Sequence, residues 1–376
     1  MASNGSPASA VAAESGTRPL AAMVLAAGEG SRMKSERPKP LHVLCGRPML
    51  MYVLDSLRSA APDRAVIVVG HKAERVTKKI GDTETGLELE FVEQRIQRGT
   101  GDAVMVGLVA VPDDLEDGDV IVLPGDAPLL RDETIAALVS QHRRSDAAAT
   151  LLTARLDDPT GYGRVVRGKD ARVVRIVEHG DATPEELDIH EVNTSIYCFR
   201  RSLLAPALRR LEPDNAQGEY YLTDVVSVLS SAGYVVESMV ADDALETSGV
   251  NDRVQLAAAE AELRRRTNEH WLRSGVTLLD PTNTYIDTTV TIGRDVTLFP
   301  GTVLQGDTWI GDGSELGPNT RLVDCSVGSG CVIEGSTARL ATIGDRCQVG
   351  PYAALGAGSK LADDVVTGPF YTSSDA

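Results

Sequence analysis

The chain has 376 residues, room for more than one domain, and sets 54 acidic residues against 37 basic ones for a formal net charge of -17. That balance argues against a surface that tracks nucleic-acid phosphates, and no apolar run reaches the ~18 residues of a membrane helix. Hydrophobic content of 42% supports folded cores, while 4% aromatic residues beside 35 glycines point to a small-residue-rich or repetitive part.

Taken in chain order, residues 1–19 are rich in Ala, Ser and Gly, with neither a basic start nor a long apolar stretch. They predict a disordered tail and no secretory signal. Across residues 20–250 the runs AAMVLAA, RAVIVVG, DVIVLPG and AATLLTA read as buried strands alternating with amphipathic stretches. This alternation predicts an α/β domain, Rossmann-like, with a mainly parallel sheet. Residues 251–275 predict a linker helix. Val254, Leu256, Ala257, Ala261 and Leu263 form its apolar face, and Arg264, Arg265 and Arg266 a solvated one.

The next stretch, residues 276–368, is a repeat. Ile286, Ile292, Leu298, Leu304, Ile310, Leu316 and Leu322 fall at a period of six. The phase then slips to Val327 and Ile333, and slips again to Ile343, Val349, Leu355 and Leu361. Glycine often follows the aliphatic residue, as at Gly293, Gly311 and Gly328. One inward aliphatic per short flat face, with small residues at the corners, predicts a left-handed parallel β-helix of roughly four coils. Residues 369–376 read as a C-terminal tail. The five cysteines (Cys45, Cys198, Cys325, Cys331, Cys347) are odd in number and lack a CxxC spacing. They indicate neither a disulfide framework nor zinc, and a reducing cytoplasm is the default.

The first apolar run leads into Gly28-Glu29-Gly30-Ser31-Arg32-Met33, with Lys39 shortly after. Glycines after a strand let backbone N–H groups surround phosphate oxygens, and Arg32 and Lys39 supply positive charge that an acidic chain needs to hold a triphosphate. The pattern is neither a Walker lysine motif nor a GxGxxG fingerprint, which argues against a P-loop NTPase and a Rossmann dehydrogenase. Asp126 follows an apolar run directly. A strand end would present its carboxylate where open α/β sheets place ligands, although a helix cap or turn fits as well. On the residues alone, the segment around Gln94, Gly99 and Thr100 fits a surface turn before a helix.

LAAGEGSRM followed by Arg37-Pro38-Lys39 resembles the signature of sugar-1-phosphate nucleotidyltransferases. Later strings narrow the resemblance: Gly99-Thr100-Gly101, Pro124-Gly125-Asp126, Glu191-Val192-Asn193-Thr194, Gly249-Val250-Asn251 and the long Asn215-Ala216-Gln217-Gly218-Glu219-Tyr220-Tyr221. In that order they are similar to the uridylyltransferase half of the GlmU family, bifunctional bacterial enzymes that make UDP-N-acetylglucosamine. The resemblance runs from about Ala21 to Thr367.

The resemblance implies a GT-A-like domain that transfers UMP from UTP to N-acetyl-α-D-glucosamine 1-phosphate. It assigns Arg32 and Lys39 to catalysis, and Leu25, Ala26, Ala27, Gly28, Gly30, Gln94, Gly99 and Thr100 to the nucleotide. Gly163, Glu178 and Asn193 fall to the sugar phosphate, and Asp126 and Asn251 to Mg²⁺, a hard cation suited to oxygen ligands. A phosphate monoester is already an anionic nucleophile, so His42 and His179 are given no general-base role. The resemblance also implies a cytoplasmic homotrimer joined through the β-helix.

Two departures matter. Ser195 stands where the family has glycine, which leaves another sugar- or cyclitol-1-phosphate, or another NTP, open. Gly356 replaces the arginine of an Arg-Pro-Gly loop, and further basic and aromatic motifs are expected to be missing, so acetyl transfer is not expected. A non-catalytic nucleotide-sugar-binding scaffold is a competing reading of a different class. The retained Arg32, Lys39, Asp126 and Asn251 oppose it.

Overall fold

A computed structural model describes residues 18–112, 115 and 117–373. Apart from Arg18 and Pro19, the tail expected over residues 1–19 lies outside the described residues. Among the described residues the first region contributes eleven strands. In chain order they are β1 (Leu20–Ala26), β2 (Val43–Leu44), β3 (Arg47–Pro48), β4 (Arg64–Val69), β5 (Leu89–Glu93) and β6 (Asp119–Pro124). There follow β7 (Ala149–Arg155), β8 (Arg164–Arg167), β9 (Val173–Val177), β10 (Glu191–Arg200) and β11 (Val236–Val240).

The main sheet runs β11-β7-β10-β6-β1-β4-β5, with the β8–β9 hairpin attached to β10. β1, β4, β5 and β6 are parallel, as are β7 and β11, while β10 runs antiparallel between β6 and β7. The mainly parallel, Rossmann-like sheet expected from the apolar runs is therefore present. Its strands are apolar without alternation because both faces are covered. Met23, Val66 and Val122 join one core, and Val24, Ile67 and Ile121 the other.

The chain order reverses at β1, which has β4 on one side and β6 on the other. Such a switch point opens a crevice at the carboxyl ends of the strands. The Ala26–Gly28 loop after β1 and Gly125-Asp126 after β6 meet there, held by a hydrogen bond from Gly125 N to Leu25 O of 2.8 Å.

The linker helix is Arg253–Arg273, capped by the Asp252 carboxylate, which accepts from Val254 N and Gln255 N at 2.9 and 2.8 Å. Its buried face differs from the expected one. Val254 is 79% exposed, and Ala257 and Ala261 also face solvent, whereas Leu256, Ala259 and Leu263 pack against Leu44, Tyr52 and Leu129. The arginine run is not a purely solvated face either. Arg266 donates to Leu129 O at 2.7 Å, and Arg264 sits 4.6 Å above the Tyr285 ring. A helix wedged between two bodies needs polar anchors on both sides, so the arginines and the buried Asn268 serve as contacts. Asn268 Nδ2 donates to Pro281 O and Thr284 O at 2.7 and 3.0 Å.

The repeat forms three parallel sheets of five, six and five strands, stacked as in a left-handed β-helix. The expected aliphatic residues all point inward into one core, together with Cys325, Cys331 and Cys347. The helix is longer than the roughly four coils expected. Thr277–Leu278, Thr337–Arg339 and Thr372–Ser373 also pair in register, and Ala338 takes an inward position that an aliphatic count passes over. The last of these strands pairs with Ala354–Leu355, so coil structure continues past residue 368, where the tail was expected to begin.

The phase slips have a simple geometry. Thr297 pairs with Glu315, 18 residues on, but Arg321 pairs with Thr337, 16 residues on, because corners shed a residue while the faces stay in register. Glycine at one corner is dictated by close stacking. A Cβ on Gly328 would lie 2.4 Å from Asp345 Oδ1, the oxygen that accepts from Ser329 N at 2.8 Å.

Candidate active site

The crevice at the switch point is a cleft of about 620 Å³. It gathers Leu25, Ala26, Ala27, Gly28, Arg32, Lys39, Gln94, Gly99, Thr100, Asp126, Gly163, Glu178, Asn193 and Asn251, with Glu219 of the long Asn215–Tyr221 string also on its wall. Gly30 alone of the expected residues does not line it. Its φ is +65°, and a Cβ there would lie 2.7 Å from Lys39 Cβ, so it lets the loop close over the lysine stem.

At the centre, four polar groups converge. Lys39, in the turn Lys39–Leu41, forms an ion pair with Asp126 Oδ2 and donates to Asn251 Oδ1 at 2.8 Å. Arg32 Nη2 donates to the same Asn251 oxygen at 3.0 Å. The two oxygens are brought together because Val250 N donates to Asp126 O at 2.8 Å, tying the segment before the linker helix to the loop after β6. Gln255 accepts from Asn251 N at 2.7 Å and steadies the asparagine.

No cluster of three or more His, Cys, Asp or Glu that could hold a metal occurs among the described residues. Asp126 and Asn251 offer two hard oxygens aimed at one cationic point. That donor set fits a divalent cation whose remaining ligands come from phosphate and water.

One end of the cleft is built from two segments that clamp each other. Tyr220 N donates to Arg98 O, Gly101 N to Tyr220 O, both at 2.8 Å, and Leu222 N to the Thr100 hydroxyl at 3.0 Å. The long Asn215–Tyr221 string is thus a wall for the Gly99–Thr100 turn. Asn215 staples it by donating to Glu219 O at 2.6 Å. Gln94 is buried, and Gln97 Nε2 donates to Ala27 O at 2.6 Å.

The opposite end suits hydroxyl and amide groups. Asn193, 5% exposed, donates to Tyr197 Oη at 2.7 Å, and its backbone N–H donates to Gly163 O at 2.9 Å. Glu178 accepts from the Thr223 hydroxyl at 3.2 Å. Burial pushes the Glu178 carboxyl above its ordinary range, and the carboxylates of Asp224 and Asp181 add to this against the Thr223 bond. Burial raises the Tyr197 hydroxyl too, with Glu178 contributing. Ser195 lies in a β-bulge between Asn193 and Ile196 with φ +61°, a conformation glycine adopts more readily.

Gln97, Thr223, Thr247 and Gln255 also line the cleft, although the sequence motifs assign them no role. Gln97 had a signal in its spacing of three from Gln94, and Gln255 in the Asp-x-x-Gln pattern that opens the linker helix. Thr223 falls in the string that runs on from Tyr221 through Leu222 to Asp224, and Thr247 has no such signal.

The nucleotidyl transferase family model matches residues 21–275. The chain is also similar to the bifunctional protein GlmU of Mycolicibacterium vanbaalenii, with 47% identity over 96% of this chain and 73% of the relative. The GlmU proteins of Desulfitobacterium hafniense and Mycobacterium bovis match at 44% and 45% identity, over 93% of this chain and 75% and 71% of their own lengths.

Proposed function

This chain belongs to the GlmU family of nucleotidyltransferases, and from that premise we propose that it transfers UMP from UTP to N-acetyl-α-D-glucosamine 1-phosphate. The products are pyrophosphate and UDP-N-acetylglucosamine, a cell-wall precursor. The observation that carries the reading is the convergence of Lys39, Arg32, Asp126 and Asn251 between a glycine-loop end and a hydroxyl-binding end of one cleft.

The backbone N–H groups of the Ala26–Gly28 loop and the Arg32 guanidinium hold the triphosphate. Lys39, only 14% exposed at its side chain, stands where charge accumulates as pyrophosphate leaves, and a partly buried cation acts strongly there. Glu178 and Asn193 orient the sugar so that its phosphate oxygen attacks the α-phosphorus in line. Asp126 and Asn251 would hold Mg²⁺, which supplies charge neutralisation at the phosphate oxygens when bound.

The reading extends to a cytoplasmic homotrimer assembled through the β-helix. It excludes acetyl transfer by these coils, because Gly356 stands where the family resemblance implies an arginine. Another sugar 1-phosphate is the second reading, favoured by the Ser195 side chain at the bulge beside Asn193. Pyrophosphate release across a panel of nucleoside triphosphates and sugar 1-phosphates, with and without Mg²⁺, separates the two. No turnover of UTP with N-acetylglucosamine 1-phosphate contradicts the first, and faster turnover of another acceptor supports the second.

A further inference from the structure

One side chain beside the cleft has no part in the reading above. Asp102 lies in the first turn of the helix Thr100–Leu108, a position that favours negative charge. Its Oδ2 accepts a hydrogen bond from Gln94 Nε2 at 2.8 Å, and the same nitrogen donates to Gly99 O at 3.2 Å. A carboxylate and a carbonyl can only accept, so they hold the NH₂ end of the amide. A turned amide would set its own oxygen against both of them. The rest of the residue is fixed as well: Gln94 is 5% exposed, and its backbone N–H donates to Val69 O at 2.8 Å. Among the described residues, Gln94 Oε1 has no donor. Gln94 lines the cleft with Leu25, Ala27, Gly99 and Thr100.

We propose that Asp102 is a positioning residue that makes the Gln94 amide present its carbonyl oxygen to the base, and thereby selects uracil over cytosine. The proposal rests on the reading of Gln94 as a base contact. A uracil joined to ribose through N1 has one N–H donor, at N3, and an acceptor-only contact can pair with nothing else on the ring. Cytosine carries a bare lone pair at N3, which a carbonyl oxygen repels, and its one donor on that edge, the N4 amino group, is displaced from the N3 position where uracil donates. An amide free to turn would offer its NH₂ to that lone pair and lose the distinction, because selectivity of this kind depends on leaving the wrong partner unpaired.

The test is Asp102→Ala, which removes the shorter of the two contacts and leaves only Gly99 O, at 3.2 Å, to hold the NH₂ end. The ratio of kcat/KM for UTP over CTP falls by ~10-fold or more, through a higher KM for UTP, while kcat at saturating UTP and the thermal midpoint change little. An unchanged ratio with a lower midpoint overturns the proposal and leaves Asp102 as a helix-start residue only. A ratio that rises also overturns it. Gln94→Leu separates the two levels. If it leaves the KM for UTP and the ratio unaltered, the base contact fails and the proposal falls with it. If it collapses the ratio while Asp102→Ala does not, the role of Asp102 alone is refuted.

Discussion

In the β-helix, Arg294 N meets Asp312 Oδ1 across 18 positions of sequence, and equivalent contacts recur from coil to coil at spacings of 16 to 18. In the cleft, Lys39 reaches Asp126 across 87 positions and Arg32 reaches Asn251 across 219. The β-helix is close to one-dimensional, with each strand paired to its neighbours one coil away, so its stability is a sum of nearest-neighbour terms. The cleft exists only when β1, β6 and the linker helix have all arrived. One region records its structure locally, and the other depends on topology. Damage to each should look different, in stability for the first and in turnover for the second.

The largest effect that sharpens this contrast is expected at Asp126. Asp126→Ala removes one of the two candidate metal oxygens and the partner of Lys39, and turnover should fall by ~10³-fold or more. The side chain is a quarter exposed, so the melting temperature should barely move. Pyrophosphate release and thermal melting on the same preparation check both halves, and retained turnover would remove Asp126 from the metal role.

Leu316 is the counterpart in the β-helix. It is fully buried and stacked between Leu298 and Ile333. Leu316→Ala should cost about 2–5 kcal/mol of stability, measured by denaturant unfolding, while the folded fraction turns over as before. A large loss of kcat in the folded fraction would mean that the two regions are coupled more tightly than the contrast allows.

Legibility in the sequence follows the same division. The β-helix could be read almost residue by residue, because an inward aliphatic at a six-residue period needs no knowledge of the rest of the chain. The period passes over Leu278, Ala338 and Ser373, where Ala338 is too small to stand out and the others sit at the first and last strands, and it passes over core residues between the strands such as Val276, Val290 and Val296. The strands β1, β4, β6 and β7 were equally plain as apolar runs. In the cleft the motifs carried the residues, but not the contacts between them. Nothing in the spacing of Lys39, Asp126 and Asn251 says that one ammonium joins the two oxygens. The linker helix was misread for a related reason. Its periodicity gives Leu263 but also Val254 and Ala257, whereas burial is decided by the two bodies it touches, and these select Ala259 and Asn268 beside Leu263.

A smaller effect probes the end of the cleft that holds Glu178 and Asn193. Glu178→Gln should raise the KM for the sugar phosphate by ~10-fold, through loss of a charged hydrogen-bond acceptor. Its effect on stability has the opposite sign. The folded-state pKa of Glu178 is raised by burial above its ordinary value, so the wild-type carboxyl costs stability as pH rises through that value toward the folded one. The variant should therefore be more stable than wild type at pH ~7, with the difference shrinking toward pH ~4. A difference independent of pH would contradict the assignment of the shift to Glu178.

The smallest effect is expected at Ser195. Its φ of +61° sits in the left-handed region, and Ser195→Gly should relieve strain by at most ~1 kcal/mol, part of it offset by the freer unfolded chain. Melting measures the gain, and comparing acceptors on the same variant shows whether the hydroxymethyl group tunes the sugar pocket.

The central claim is that groups brought together from residues 25–255 carry out one nucleotidyl transfer. The most direct measurement supplies UTP labelled at the α-phosphorus with N-acetylglucosamine 1-phosphate and Mg²⁺, and follows the label by chromatography. The account expects the label in UDP-N-acetylglucosamine, with one pyrophosphate released per labelled product. Label that stays in UTP, or that leaves as UMP with no nucleotide sugar formed, would contradict it.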